Sequence, residues 1–317
     1  MEADPAAASP TGSTAAAASS SSSLIFLGTG CSAALPDTRC LIKPPAPPCA
    51  VCSTALSLPP DQNPNYRTNT SLLIDYCHDD GTHKYILIDC GKTFREQVLR
   101  WFVHHKIPSV DSIILTHEHA DAVFGLDEVW VVQPSNGSNG FERIPIFLTQ
   151  FTMDSIAPRF PYLLNQKPED GDEVARVSQL EWKIIDGDVD KPFVASGLEF
   201  VPLPVMHGEG YICLGFLFGR KTRVAYLSDV SRFLPSTEYV ISKSGGGQLG
   251  LLIIEANNLD AVSLDAIKRI CPKRALLIGM RHMFDHHREN QILVEWSLRE
   301  GIPVELAHDS MRIFLDM

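Results

Sequence analysis

An apolar run, Ile113-Ile114-Leu115, ends in Thr116, and His117, Glu118, His119, Ala120 and Asp121 follow directly. The run reads as a buried strand, so these residues stand where strand gives way to loop. Side chains there can converge on one point. Two imidazoles and a carboxylate so placed suit Zn²⁺, Mn²⁺ or Fe²⁺. The plain alternative is a polar loop that happens to hold two His, but His-x-His-x-Asp straight after a buried strand has a mechanism behind it.

Three further apolar runs end the same way. Tyr85-Ile86-Leu87-Ile88 leads to Asp89, the run from Phe200 to Met206 leads to His207, and Val224-Ala225-Tyr226-Leu227-Ser228 leads to Asp229. Ligands gather at the C-terminal ends of strands in layered α/β proteins.

With Gly28-Thr29-Gly30, these residues resemble the metallo-β-lactamase-fold hydrolase superfamily, over roughly residues 24–317. The segments Leu27-Gly28-Thr29-Gly30-Cys31-Ser32, Tyr66-Arg67-Thr68-Asn69-Thr70-Ser71 and Phe124-Gly125-Leu126-Asp127 are most similar to the branch that includes the phosphonate-pathway cyclic phosphodiesterase. The resemblance implies an α/β fold, a four-layer αββα sandwich, and a metal-dependent hydrolase.

Two positions depart from the family pattern. The residue after Asp121 is Ala122 instead of His, and the late His expected after Ala275-Leu276-Leu277-Ile278 falls at Gly279. Both missing His would serve the same ion in a two-metal member. His117, His119, His207 and Asp229 still make a complete set with an open position. One catalytic Zn²⁺ or Mn²⁺ is expected, with a second held weakly, if at all, by Asp121 and Asp229. Two alternatives stay open: His282 folds back to fill the second site, or catalysis has been lost.

Cys49-Ala50-Val51-Cys52 is a Cys-x-x-Cys with Cys40 upstream. Relatives carry a structural zinc on a Cys-rich insertion completed by a late His, so the resemblance implies a Cys40, Cys49, Cys52 and His282 tetrahedron, with Cys31 as a substitute for Cys40. A closed Cys₃His set is the structural type of zinc site. A redox pair or two unpaired surface thiols are the alternatives, but no thioredoxin-like context accompanies a redox pair. The insertion, residues 36–65, holds Pro44, Pro45, Pro47 and Pro48 and is expected to lack regular structure.

The chain has 317 residues, 44% apolar and 21% charged, ordinary values for a globular protein with one large core. No apolar run approaches the ~20 residues of a membrane span. The net charge of −11 argues against a general nucleic-acid surface and against RNA 3′-end processing. It leaves room for a small phosphate ester steered by the metal. A homodimer is compatible with the sequence. Eight Cys and no signal peptide fit reduced intracellular thiols. Residues 1–23 are Ala/Ser-rich and read as a disordered tail. Lacking Arg and Lys, the tail is a poor transit peptide, so cytoplasm is expected, with a plastid or other organelle as the alternative.

Other elements follow from pattern. Residues 93–105 have helical spacing, Asp121 opens a helix through Val129, residues 166–173 read as a mobile excursion, and residues 290–299 read as helix. In the expected mechanism a metal lowers the pKa of its water to about 7, and the hydroxide attacks phosphorus. Asp121 and Asp229 orient it or take its proton, and Asp89 orients a ligand His through its second ring nitrogen. His286 or His287 would protonate the leaving alkoxide, the alternative being a polar helix start. Arg67 and Asn69 would contact a phosphate, or else close the insertion as a structural turn. The expected function is a phosphodiesterase on a small cyclic phosphate or nucleotide-like ester. A thioester or ester hydrolase of the same fold, or a non-catalytic metal-binding protein, is the alternative.

Overall fold

Strands whose side chains alternate between two apolar environments build this molecule. On β1 (Ser22–Gly28), Ile25 and Leu27 enter one core cluster while Leu24 and Phe26 enter another. On β12 (Leu251–Glu255), Leu252 and Ile254 face a third cluster while Leu251 and Ile253 share the second. A strand buried on both faces must lie in an inner layer. The structure, a computed structural model, describes residues 21–135, 141–164, 177–257 and 261–317.

The first sheet runs β15-β1-β2-β3-β4-β5-β6. Its other members are β2 (Ser71–Cys77), β3 (His83–Ile88), β4 (Ser112–Ile114), β5 (Ile144–Leu148), β6 (Leu180–Ile184) and β15 (Arg312–Leu315). The second runs β11-β8-β9-β10-β12-β13-β14, with β7 (Phe193–Ala195) paired to β8. It contains β8 (Leu198–Met206), β9 (Ile212–Phe218), β10 (Val224–Leu227), β11 (Arg232–Phe233), β13 (Ala275–Ile278) and β14 (Val304–Leu306). Both sheets are mixed. β3 to β6 run parallel, as do β10, β12, β13 and β14. Helices cover the outer faces, and the expected αββα sandwich is the architecture observed.

Several local expectations change. β1 begins at Ser22, so Ser22 and Ser23 of the polar tract belong to the sheet, where the Cys77 amide donates to Ser22 Oγ. The remaining tail, 1–20, lies outside the described residues, as do the 166–173 excursion and residues 136–140. The insertion is not irregular: it forms helices Thr38–Ile42 and Ala50–Ala55. Asp37 starts the first by accepting from the Arg39 amide. The helix from Asp121 is short, Ala120–Val123, and a 3₁₀ segment follows at Leu126–Val132. Gly125 separates them because its amide donates to the Cys90 carbonyl instead. Residues 94–105 are helical as expected, with a π turn over Val98–Phe102. Helix His286–Glu300 starts four residues earlier than its spacing implied, because Asp285 caps it by accepting from Arg288 N.

Candidate metal centre

The strand ends deliver their residues to one place. His117 and His119 follow β4, His207 follows β8, Asp229 follows β10, and Glu255 ends β12. The His117 and His119 rings lie 4.6 Å apart by centroid, His117 and His207 5.5 Å, and His119 and His207 5.3 Å. One nitrogen from each of the three lies within 4.8 Å of the others. His117 is buried, and its Nε2 has no hydrogen-bond partner among the described residues. A buried, unpaired ring nitrogen facing two more imidazoles costs free energy unless something accepts its lone pair. Asp229 Oδ1 stands 3.8 Å from His207 Nε2. The donor set therefore fits a divalent metal with one open position.

Asp89 acts differently from the expectation. It reaches no imidazole. Its carboxylate accepts from Thr116 N at 2.9 Å and from Thr116 Oγ1 at 2.8 Å, and Thr116 Oγ1 lies 2.8 Å from His117 Nδ1. Asp89 thus fixes His117 through Thr116. Burial, outweighing its bonds to Thr116, raises the Asp89 pKa well above the usual carboxylate range. Tyr211 stacks against His119 with its ring 5.2 Å away and nearly parallel, and its hydroxyl donates to Glu118 Oε2 at 2.5 Å.

His119, Asp121, His207, Asp229, Glu255 and Gly279 line one chamber of about 270 Å³. Ala122 is packed in the helix-side core and offers no donor. Gly279 has a φ of +73°, and a Cβ there would stand 2.9 Å from Glu255 Cγ. The Glu255 side chain thus occupies the space beside Gly279. Burial and the Asp229 charge push its carboxyl up to about 8, while Oε2 accepts from Val230 N at 2.8 Å. Glu255 was missed from the sequence, although it ends a strand as Asp89 and Asp229 nearly do.

Three other expected site residues are placed elsewhere. His286 packs against Asn290 and His308, and its own amide donates to Asn65 Oδ1. It lines neither the chamber nor its mouth. Burial, helped by Arg67 and His308, holds its imidazole down at about 3, so it is neutral at pH 7. Arg67 is fully buried, and its guanidinium donates to the Phe284 carbonyl and to Asn65 Oδ1. Asn69 donates to the Cys31 and Ser32 carbonyls. Neither is free to meet a phosphate: Arg67 ties the end of the insertion at Asn65 to Phe284, close to the structural alternative, and Asn69 holds the Cys31–Ser32 turn that precedes the insertion.

The second cluster is assembled. Cys40, Cys49, Cys52 and His282 each offer an atom within 4.8 Å of the others. His282 Nδ1 lies 3.1 Å from Cys40 Sγ and 3.5 Å from Cys49 Sγ. His282 is therefore turned toward the thiols and not toward the chamber. Cys31 is not in this cluster. Burial pushes the Cys52 thiol up to about 12. Four such groups side by side are the donor set of a structural zinc.

A family model for a beta-lactamase superfamily domain matches residues 84–283, more than half of the chain. The chain belongs to that superfamily. Within it, a solved diphosphatase of the PhnP family is 26% identical, with a TM-score of 0.70, over 93% of this chain and 98% of that one. This agrees with the phosphonate-pathway branch indicated by the sequence motifs. Zn²⁺-bound PqqB from Methylobacterium extorquens shares the fold at 15% identity, with a TM-score of 0.65, over 92% of this chain and 100% of that one. A ribonuclease Z of Clostridium acetobutylicum is 31% identical over 163 residues, 50% of this chain and 46% of that protein. An octanoyltransferase of Porphyromonas gingivalis is 32% identical over 207 residues, 65% of this chain and 35% of that protein. The chain thus spans about a third to a half of the length of these curated relatives. No helix among the described residues is long and apolar enough to cross a membrane.

Proposed function

We propose that this metallo-β-lactamase-fold hydrolase is a phosphodiesterase acting on a small phosphate ester, such as a cyclic phosphate or a nucleotide-like ester. The observation that carries the reading is the convergence of His117, His119 and His207 with the buried, unpaired Nε2 of His117. The resemblance to a PhnP-family diphosphatase, at 26% identity over nearly the whole of both chains, supports phosphorus as the centre attacked.

His117, His119, His207 and Asp229 would hold one Zn²⁺ or Mn²⁺. When bound, the metal supplies Lewis acidity and a water acidified toward neutral pH. Asp121, beside His119 in the chamber, takes the proton of the attacking water and passes it to solvent. Thr116 and Asp89 keep His117 in one tautomer, its Nε2 facing the cluster. Tyr211 and Glu118 fix the plane of His119. Ala122 and Gly279 give no donors for a second ion, which supports a mononuclear centre. Cys40, Cys49, Cys52 and His282 would hold a structural zinc that fixes residues 36–65.

Elemental analysis of wild type, Cys52→Ala and His119→Ala tests this, with each protein assayed on bis-p-nitrophenyl phosphate. Wild type should hold two metals, each variant should lose one, and only His119→Ala should lose activity. Loss of both metals in His119→Ala with none lost in Cys52→Ala would reject the arrangement. A loaded wild type that cleaves no phosphate ester would reject the activity.

A further inference from the structure

Cys213 stands with two of the metal ligands. A ring nitrogen of His117, Cys213 Sγ and a carboxylate oxygen of Asp229 lie within 4.8 Å of one another. His117 Nδ1 is engaged by Thr116 Oγ1, so Nε2, buried and without a partner among the described residues, is the nitrogen left for an ion. His117 and Asp229 also belong to the histidine site. The thiol therefore borders the place of the same ion and not a separate one.

The β8–β9 hairpin puts it there. His207 leaves β8, its amide donates to the Tyr211 carbonyl across the turn, and Cys213 follows on β9 opposite Val205. One hairpin thus carries His207, Cys213 and the Tyr211 that stacks on His119. The Leu214 amide donates to the Thr116 carbonyl at 3.1 Å, which ties β9 to the chain immediately before His117. Cys213 is 1% exposed, and its thiol makes only long contacts, 3.9 Å to the Thr116 carbonyl and 3.7 Å to the Leu214 carbonyl. A thiol is a weak donor, so these contacts do little to hold it. Cys213 is not part of the chamber lining. It meets His117 and Asp229 from the core side and leaves the chamber side to substrate.

Resting on the reading of the histidine cluster as a metal centre, we propose that Cys213 is a thiolate ligand of the same ion and raises the site's preference for Zn²⁺ over Mn²⁺. A buried thiol with no ion beside it is a small apolar group, whereas a thiol bound to a divalent ion is deprotonated outright. The S–H bond breaks, its proton passes to solvent, and the sulfur's electron pair forms the bond to the metal. Nothing is oxidised or reduced. Imidazole suits several metals and carboxylate suits Mn²⁺, but thiolate is soft and selects Zn²⁺. With three imidazoles and the thiolate, four donors are in place. Asp229 lines the chamber and is free to give way to water there, within the four or five ligands that catalytic zinc accepts.

Cobalt(II) in place of zinc tests this without catalysis, because a thiolate bound to cobalt gives a charge-transfer band in the near ultraviolet. The insertion's thiols would give the same band, so the full chain is first freed of them by Cys40→Ala, Cys49→Ala and Cys52→Ala together. That protein with one equivalent of cobalt should show the band. Adding Cys213→Ser or Cys213→Ala should abolish it and keep cobalt's visible absorption, and adding His119→Ala should remove both. A second measurement leaves the insertion intact. Most sites favour Zn²⁺ over Mn²⁺ to some degree, so the change in their affinity ratio is read. Cys213→Ser and Cys213→Ala should weaken Zn²⁺ at the chamber by at least about 10–100-fold, the effect of groups that merely support a ligand, and weaken Mn²⁺ much less. Cobalt that binds through His119 with no charge-transfer band overturns the thiolate alone, as does an unchanged affinity ratio in both Cys213 variants. Absence of any cobalt absorption that depends on His119 rejects the metal centre and the thiolate with it.

Discussion

His117 is held from behind and open in front. Thr116 Oγ1 meets its Nδ1, and Asp89 fixes Thr116 through two bonds. Thr116→Val keeps the shape of the side chain and removes the hydroxyl. It should weaken metal binding at the chamber by about 10–100-fold, since partners of ligand His have effects of that size. Competition with a chelator measures this, and an unchanged affinity would remove Asp89 and Thr116 from that role. His117, His119, His207 and Asp229 were legible in the sequence because each closes or follows an apolar run. Glu255 closes one too, but a Glu at a strand end with no His nearby gives a weak signal. His286 was read as a proton donor because it follows Asp285 closely, whereas the structure sets its amide on Asn65 Oδ1 and leaves it out of the chamber lining.

Among elements, the turn after β3 does the most to position the site. Gly91 lets residues 90–92 lie against 120–122 with no room for a side chain between them. Gly91→Ala should cost at least about 1–3 kcal/mol, the usual penalty of overpacking, and displace Asp121. A thermal melt and a metal titration would record both losses; a variant matching wild type in each would show that the turn yields freely. The insertion is a second such element. Its two helices are only 5 and 6 residues long, too short to persist alone. If the Cys₃His set holds zinc as proposed, treatment with a chelator, or replacing Cys52 with Ala, should make residues 36–65 the first segment cut in limited proteolysis. Unchanged cleavage would mean that the bonds of Asn65 to Arg67, Asp285 and His286 suffice to hold it. The Pro content hid these helices, because each begins only after a Pro-bearing stretch has ended, with Asp37 or Cys49 as its cap.

For the molecule as a whole, acid sensitivity is written into buried imidazoles. Burial, the largest influence, holds His105 down at about 4, with its Nε2 beside the Ser310 carbonyl and hydroxyl. A free imidazole has a pKa of about 6.5, so the unfolded chain binds this proton more readily than the folded one. The stability it contributes is therefore full above pH 6.5 and is lost as pH falls toward about 4. Urea midpoints between pH 7 and 4 should fall less steeply in His105→Gln than in wild type. Parallel curves would place the acid sensitivity elsewhere.

The sequence by itself showed the principal strands and the histidines and aspartates that follow them, while its resemblance to the superfamily implied the layered class and the Cys₃His set. Apolar runs and ligand spacing are local properties, and a strand end puts its next residue at the sheet edge whatever lies beyond. Only the tertiary structure decided which sheet each strand joined and that β15 closes the first sheet against β1. It also turned His282 toward the thiols, buried Arg67 and Asn69, and gathered Lys92, Arg159 and Glu255 around the chamber. These residues are far apart in the chain. Their meeting depends on the packing of two sheets and on where the connecting loops can lie without leaving backbone groups unpaired, and no short stretch of sequence carries that information.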